Sequence, residues 1–82
     1  MQAGPAPAAE WPVLALRWDA GKGKLSGSFT GGVAEAVSTD ARRIFDGLSA
    51  EIQARLKKGA VNLPGRVEKQ GNRLVIMELR QG

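Results

Sequence analysis

The stretch STDARRIFDGLSAEIQARLKK, residues 38–58, is the most regular part of this 82-residue chain and decides its predicted fold. From just before this stretch onward, apolar side chains recur every three or four residues, at Val37, Ala41, Ile44, Phe45, Leu48, Ile52 and Leu56. That spacing is the period of one face of an α-helix. Asp40 in the first turn and Lys57 and Lys58 in the last turn suit the helix dipole, and Gly59 is a typical helix stop. The stretch therefore predicts one helix of about twenty residues, roughly 30 Å long, across a small domain.

Strand-like segments flank this helix on both sides. Upstream, residues 13–19 (VLALRWD) and 24–30 (KLSGSFT) alternate between apolar and polar side chains, and turn-forming residues lie between them. Downstream, residues 66–69 and 73–80 (RLVIMELR) flank the turn QGN. Two alternating segments joined by a short turn that contains glycine are typical of a β-hairpin. The pattern therefore predicts one hairpin on each side of the helix.

The start of the helix is ambiguous. Two glycines end the second strand, and residues 33–37 follow before the regular stretch. These five residues are either the first turns of the helix or a short separate piece, with Ser38 or Thr39 as the N-cap. Because the valines of this segment fall on the apolar face of the helix, we favour one helix that begins near Gly32.

Together these elements predict an α+β domain of two layers. In the order β-β-α-β-β, a four-stranded antiparallel sheet carries one long helix packed on one of its faces. The sheet side of the predicted core consists of Leu14, Leu16, Trp18, Leu25, Phe29, Val67, Val75, Met77 and Leu79. The sequence does not determine the order of the strands. The two hairpins either lie side by side within one chain or pair across a dimer.

The first ten residues, MQAGPAPAAE, are rich in Ala and Pro and predict a flexible tail or linker. Residues 11–82 then form a single small domain. A chain of this length buries only about 60% of the surface that its unfolded form exposes, so association with a second copy or a protein partner is expected to stabilise it. No apolar run exceeds four residues, so no membrane span is predicted. No feature indicates a compartment.

Residue types on which most enzymes depend are missing. There is no His and no Cys, and the eight Asp and Glu residues show no motif spacing. General acid–base catalysis, nucleophilic catalysis and metal binding usually need such residues. The loop Gly21-Lys22-Gly23-Lys24 fails the spacing of a phosphate-binding P-loop, so we interpret it as a glycine turn with solvated lysines. We expect a protein that is not an enzyme, with no metal, cofactor or small-molecule substrate.

Two features suggest surfaces for association. Gly47, Ala50 and Ala54 lie on one flank of the predicted helix, where small side chains allow another backbone to approach closely. A Gly inside a helix costs about 0.5–1 kcal/mol relative to Ala, so a compensating contact is expected. Leu74 and Ile76 lie on the polar face of the predicted sheet. Either a partner covers them, or their strand is central and its neighbours shade them.

The charge pattern suggests a different kind of partner. Twelve Lys and Arg against eight Asp and Glu give a net charge of +4, which is a mild basic bias. Arg17, Lys24, Arg66 and Arg80 lie on the polar face of the predicted sheet and are candidate phosphate contacts. The basic end of the helix, with Arg55, Lys57 and Lys58, is the other candidate surface for phosphates. The aromatic residues of the strands fall on the opposite, core face, so the polar face lacks the stacking platforms of single-strand binders.

From these observations we expect a non-catalytic protein–protein interaction or assembly module, either a homodimer or bound to another protein. It would act through a sheet face or edge strand and through the small-residue helix flank. The alternative is a small basic nucleic-acid-binding protein that uses phosphate contacts. The fold by itself does not decide between them.

Overall fold

The alternating segments become strands of a closed barrel in the computed structural model, which describes Pro7 and residues 10–81. The elements in chain order are β1 (Val13–Asp19), β2 (Lys24–Phe29), β3 (Gly32–Glu35), α1 (Ser38–Asp46), α2 (Ala50–Leu56), β4 (Val61–Gln70) and β5 (Arg73–Leu79). The predicted tail at residues 1–10 lies outside the described residues, apart from Pro7 and Glu10.

The five strands pair in the order β1-β2-β3-β5-β4, and β1 closes the barrel on β4. Neighbouring strands are antiparallel except β3 and β5, which run parallel and meet at Glu35 and Val75. The closing pair brings Leu16 opposite Val61. The chain is a small α+β domain, but the predicted open sheet of four antiparallel strands with one long helix on one face is wrong.

β4 is long because it serves two neighbours, β1 with its first half and β5 with its second. The sequence predicts a strand only over residues 66–69, because Pro64 and Gly65 are typical of a break. In the barrel these two residues form the corner between the two pairings. Gly65 donates its N–H to the carbonyl of Pro12, and the carbonyl of Pro64 accepts from Arg80, both at 2.9 Å. The corner is therefore hydrogen-bonded although Pro64 has no N–H to give.

The predicted long helix is two short helices, because Gly47 and Ser49 interrupt it. The N–H of Gly47 donates to the carbonyls of Arg43 and Ile44 at the end of α1. Ser49 then has an extended backbone, and its Oγ accepts from the N–H of Ile52 at 3.2 Å. Ser49 is thus the N-cap of α2, which starts a new helix rather than continuing the first.

Two glutamine side chains hold the joint between the helices. Gln53 donates from Nε2 to the carbonyl of Phe45 at 2.8 Å. Gln81, which follows β5, accepts from the N–H of Ser49 at 2.6 Å and donates to the carbonyl of Gly47 at 3.0 Å. These bonds satisfy backbone groups that the end of one helix and the start of the next leave without partners.

The helix break changes the setting of the small-residue flank. Gly47 caps α1, whereas Ala50 and Ala54 belong to α2, and all three are exposed. The three residues therefore do not share one flank of a continuous helix, which was the premise of that candidate surface.

The segment after the second strand is a strand and not the first turns of a helix. Phe29 pairs with Gly32, so the two residues between them form a tight hairpin loop. Gly32 has a φ of 134°, a backbone conformation that favours glycine. Strand pairing continues to Glu35, and α1 begins at Ser38 with Val37 as its N-cap. A helix beginning near Gly32 is therefore a wrong prediction.

Alternate residues of the strands line the interior of the barrel, as the alternation predicts for β1 and β2. Leu14, Leu16 and Leu25 are at most 1% exposed. Phe45 and Leu56 from the helices join the same core cluster. The helices thus close over apolar side chains of the barrel.

β5 departs from simple alternation because it contains a bulge at Met77. Arg66 pairs with Glu78 whereas Val67 pairs with Ile76, so one residue of β5 is extra. A bulge reverses which alternate residues face inward. Ile76, 1% exposed, belongs to the core, and Leu74 is half-buried against it. The predicted position of this pair on a polar sheet face is wrong, since the barrel itself covers Ile76.

Two glycines allow strands to pass close to Leu14 inside the barrel. A Cβ atom on Gly27 would lie 2.9 Å from the Cβ of Leu14. A Cβ atom on Gly65 would lie 2.5 Å from Leu14 Cδ1 and 3.0 Å from Leu79 Cδ2. These distances are shorter than carbon–carbon contact, so any larger residue at either position overpacks the core.

Candidate functional site

Two neighbouring cavities meet at the end of β3. The first, of about 410 Å³, lies between the start of β2, the end of β3 and the β4–β5 hairpin. The second, of about 700 Å³, lies against the end of β1, the β1–β2 loop and the end of α2. Lys24 and Glu35 line both, so the cavities form one depression. We call it the basic groove; its charged lining residues are Arg17, Asp19, Lys22, Lys24, Glu35, Lys57 and Arg73.

The strand register places part of this groove on a single row across the barrel. Arg17 lies opposite Ser26, Ser26 opposite Glu35, and Glu35 opposite Val75. Residues opposite one another on neighbouring strands project from the same side of the sheet. Because strands lie about 4.8 Å apart, the row crosses four strands over about 14 Å.

The β1–β2 loop brings two lysines to the groove. Lys24 lies opposite Asp19 in the strand register, at the base of the hairpin. The backbone N–H of Lys22 donates a hydrogen bond to Asp19 Oδ1 at 3.1 Å. Gly23 has a φ of 63°, which permits the tight turn. The glycines of this loop therefore fix the backbone from which both lysines project.

The basic groove holds most of the excess charge of the protein. It combines five basic side chains with two acidic ones, so it accounts for +3 of the net charge of +4. None of the seven forms an ion pair with another of the described residues, whereas outside the groove Arg42 pairs with Asp46 and Arg43 with Asp40. Basic side chains without counterions create a positive potential, which attracts anionic ligands.

Of the four predicted phosphate contacts, the structure brings only Arg17 and Lys24 to the groove. Of the candidates at the helix end, Lys57 lines the groove, whereas Arg55 and Lys58 do not. Sequence reasoning missed Lys22 and Arg73. Lys22 lies in the glycine loop, where the sequence suggests only a solvated turn residue. Arg73 has no local signal, because only the pairing of β3 with β5 brings it beside the other residues.

The other two predicted contacts lie elsewhere. Arg66 is held between two acids, with Nη1 2.6 Å from Glu68 Oε2 and Nε 3.3 Å from Glu78 Oε1. Its side chain is only 23% exposed, so its charge is already neutralised and screened. Arg80 follows the far end of β5, about 20 Å along the strand from Arg73.

One aromatic side chain borders the groove. Trp18 stacks on Phe45 with ring centroids 4.2 Å apart and 15° between the planes, and it packs against the core as the alternation of β1 predicts. It is only half-buried, and it also lines the second cavity. Trp18 is therefore the aromatic side chain through which fluorescence would report a ligand in the second cavity.

Among the described residues, no helix has the length and apolar content needed to cross a membrane. Comparisons of the chain with protein-family models, with curated proteins and with solved structures give no match.

Proposed function

We propose that the protein is a non-catalytic binding module that holds single-stranded nucleic acid in the basic groove. The observation that carries this proposal is that five basic side chains from separate parts of the chain surround one groove. None of the five forms an ion pair with another described residue. Nucleic acid presents a regular row of phosphates, and contacts of Lys and Arg with phosphate supply most of its non-specific binding energy. The groove has the charge that such a ligand requires.

The first cavity supports a single strand rather than a duplex. The exposed Val37 and the half-buried Leu74 contribute apolar surface to its lining beside Lys24 and Arg73. The bases of a single strand are free to leave the stack and enter such a pocket, whereas those of a duplex are already stacked and paired. Apolar surface next to phosphate-binding cations is therefore useful to a single-strand binder.

The architecture is compatible with this proposal. Five-stranded Greek-key barrels of the OB type bind oligonucleotides and oligosaccharides on the face of their second and third strands and at the β1–β2 and β4–β5 loops. The basic groove lies against the same elements of this barrel. This is an analogy of architecture, which by itself does not assign a function.

The test is a fluorescence anisotropy titration of a labelled single strand of about twelve nucleotides, as DNA and as RNA. If each of the five basic side chains neutralises one phosphate, the logarithm of the binding constant falls with the logarithm of the salt concentration with a slope of about −3.5. A rise from 50 to 200 mM salt then weakens binding about 100-fold. A wild-type protein that binds neither strand at 50 mM salt would reject the proposal.

A matched pair of double variants locates the binding surface. Lys22→Glu/Lys24→Glu and Lys58→Glu/Lys69→Glu both lower the net charge from +4 to zero, but only the first pair lines the groove. The first variant should bind at least about tenfold more weakly, with a slope reduced to about −2, and the second should retain most of the wild-type affinity. Equal weakening by both would show that overall charge, and not the groove, attracts the ligand.

A second candidate function is protein interaction or assembly, and the outer face of the barrel favours it. Val13 and Val33 are 58% and 61% exposed. The uncharged Ala15, on the same strand as Val13, lies opposite Ser28, which in turn lies opposite Val33. Light scattering after size exclusion tests it: an assembly that persists at high salt and is weakened by Val13→Ser/Val33→Ser supports this function. A monomer at every concentration removes self-assembly.

A further inference from the structure

An acidic residue stands at the centre of the basic groove. Glu35 is the last residue of β3, lies between Ser26 and Val75 in the row across the barrel, and lines both cavities. Its side chain is exposed, and it forms no ion pair and no hydrogen bond with a side chain of the described residues. A free carboxylate repels nearby phosphates. It therefore weakens binding of a single strand unless it accepts a hydrogen bond from another part of the ligand.

A base bound in the first cavity supplies the part of the ligand that donates a hydrogen bond to Glu35. The volume of this cavity, about 410 Å³, lies within the range of roughly 300–1,000 Å³ of pockets for small ligands. The exposed Val37 and the half-buried Leu74 contribute apolar surface to its lining, and Gln70 contributes an amide. Glu35 lines the same cavity, so a base held there lies beside its carboxylate.

The chemistry of a carboxylate then distinguishes the pyrimidines. An ionised Glu only accepts hydrogen bonds. Cytosine donates from its N4 amino group, and Glu and Asp are its usual acceptors. Thymine and uracil carry a carbonyl oxygen, O4, at the same place, and two acceptors repel each other. We infer that Glu35 is a specificity-determining residue that makes the groove prefer cytosine over thymine and uracil, an inference that rests on the proposed function.

The test compares strands that differ only in the base. Oligo(dC) and oligo(dT) of about twelve nucleotides are titrated into the wild-type protein at neutral pH, with oligo(rC) and oligo(rU) as the RNA arm, which removes the methyl group of thymine from the comparison. The expected ratio of dissociation constants is about tenfold in favour of the cytosine strand in both arms. Glu35→Gln should bring this ratio close to one, mainly by strengthening the thymine and uracil strands, because an amide also donates.

Asp19→Asn is the matched control, because Asp19 is the other acid of the groove and lines only the second cavity. Its amide oxygen still accepts from the N–H of Lys22, so the turn is kept. This variant removes the same single charge and should strengthen all four strands equally, with the cytosine preference unchanged. Tight binding with equal affinity for all strands, or a preference that Glu35→Gln does not alter, would overturn the inference and leave the proposed function standing. Absence of binding to every strand would overturn both.

Discussion

The substitution Gly65→Ala tests the barrel corner. In the structure the added Cβ lies 2.5 Å from Cδ1 and 3.2 Å from Cγ of Leu14, and 3.0 Å from Cδ2 of Leu79. Carbon atoms pack best at roughly 3.5–4.0 Å, so one contact is too short by about 1 Å. Leu14 is fully buried, which leaves it little room to move. Overpacking of this kind costs about 1–3 kcal/mol of unfolding free energy.

Urea unfolding followed by circular dichroism measures this loss. With an m-value of about 1 kcal/mol/M, the midpoint should fall by about 1–3 M. Gly59→Ala is the control, because a Cβ atom added there meets nothing within 4 Å and the φ of Gly59 is not left-handed. That variant should be as stable as the wild type or gain up to about 1 kcal/mol. If Gly65→Ala behaves like Gly59→Ala, the packing around Leu14 is not as described.

A double variant tests the same contact more sharply. Leu14→Ala removes both Leu14 atoms that clash with the new methyl group and leaves a cavity. In that background Gly65→Ala fills space, so the double variant should be more stable than Leu14→Ala alone. If Gly65→Ala costs as much stability in the Leu14→Ala background as in the wild type, the two positions are not coupled and the contact is refuted.

Three further predictions concern the helix joint and the groove. Ser49→Ala removes the N-cap of α2 and should cost about 1 kcal/mol in urea unfolding, and an unchanged midpoint would contradict that role. Gln81→Ala removes the side-chain hydrogen bonds to Ser49 and Gly47, so it should lower the free energy of unfolding by about 1–2 kcal/mol and speed amide exchange at Ser49. Unaltered exchange at Ser49 would show that these bonds do not stabilise the joint. Arg66→Gln should leave the salt slope of nucleic-acid binding unchanged, whereas Arg73→Gln should reduce its magnitude by about 0.7, and the reverse order would move the site away from the groove.

The local features of the fold could be predicted from the sequence. The alternation at residues 13–19 and 24–30 predicts β1 and β2, because a hairpin joins neighbours in the chain. The apolar period of residues 38–58 predicts helical structure, but it runs through the joint because Ile44 and Leu48 both pack on the core. The break has to be inferred from Gly and Ser signals, which are weaker than the period.

The closure of the barrel could not be predicted from local patterns. It depends on pairings between distant residues, such as Leu16 with Val61, and on the parallel pair of Glu35 and Val75. The bulge at Met77 also reverses the inward face of β5, which alternation alone assigns incorrectly. Tertiary packing decided each of these features.

The residues of the candidate site also divide into those predictable from the local sequence and those brought together only by the fold. Arg17 and Lys24 could be predicted as neighbours because they lie on one local hairpin. Lys57 and Arg73 join them only through the helix end and the β4–β5 hairpin. Arg66 looks equally suitable in the sequence, and only the structure pairs it with two acids.

The most direct test of binding in the basic groove is an amide chemical-shift titration of the ¹⁵N-labelled protein with unlabelled oligo(dC). We expect saturable shifts to concentrate in the β1–β2 loop at residues 20–24, at the end of β3 at residues 35–38, and in the β4–β5 hairpin at residues 70–75. Shifts that concentrate instead on the exposed valine face around Val13 and Val33, or no shifts at low salt, would contradict binding in the groove.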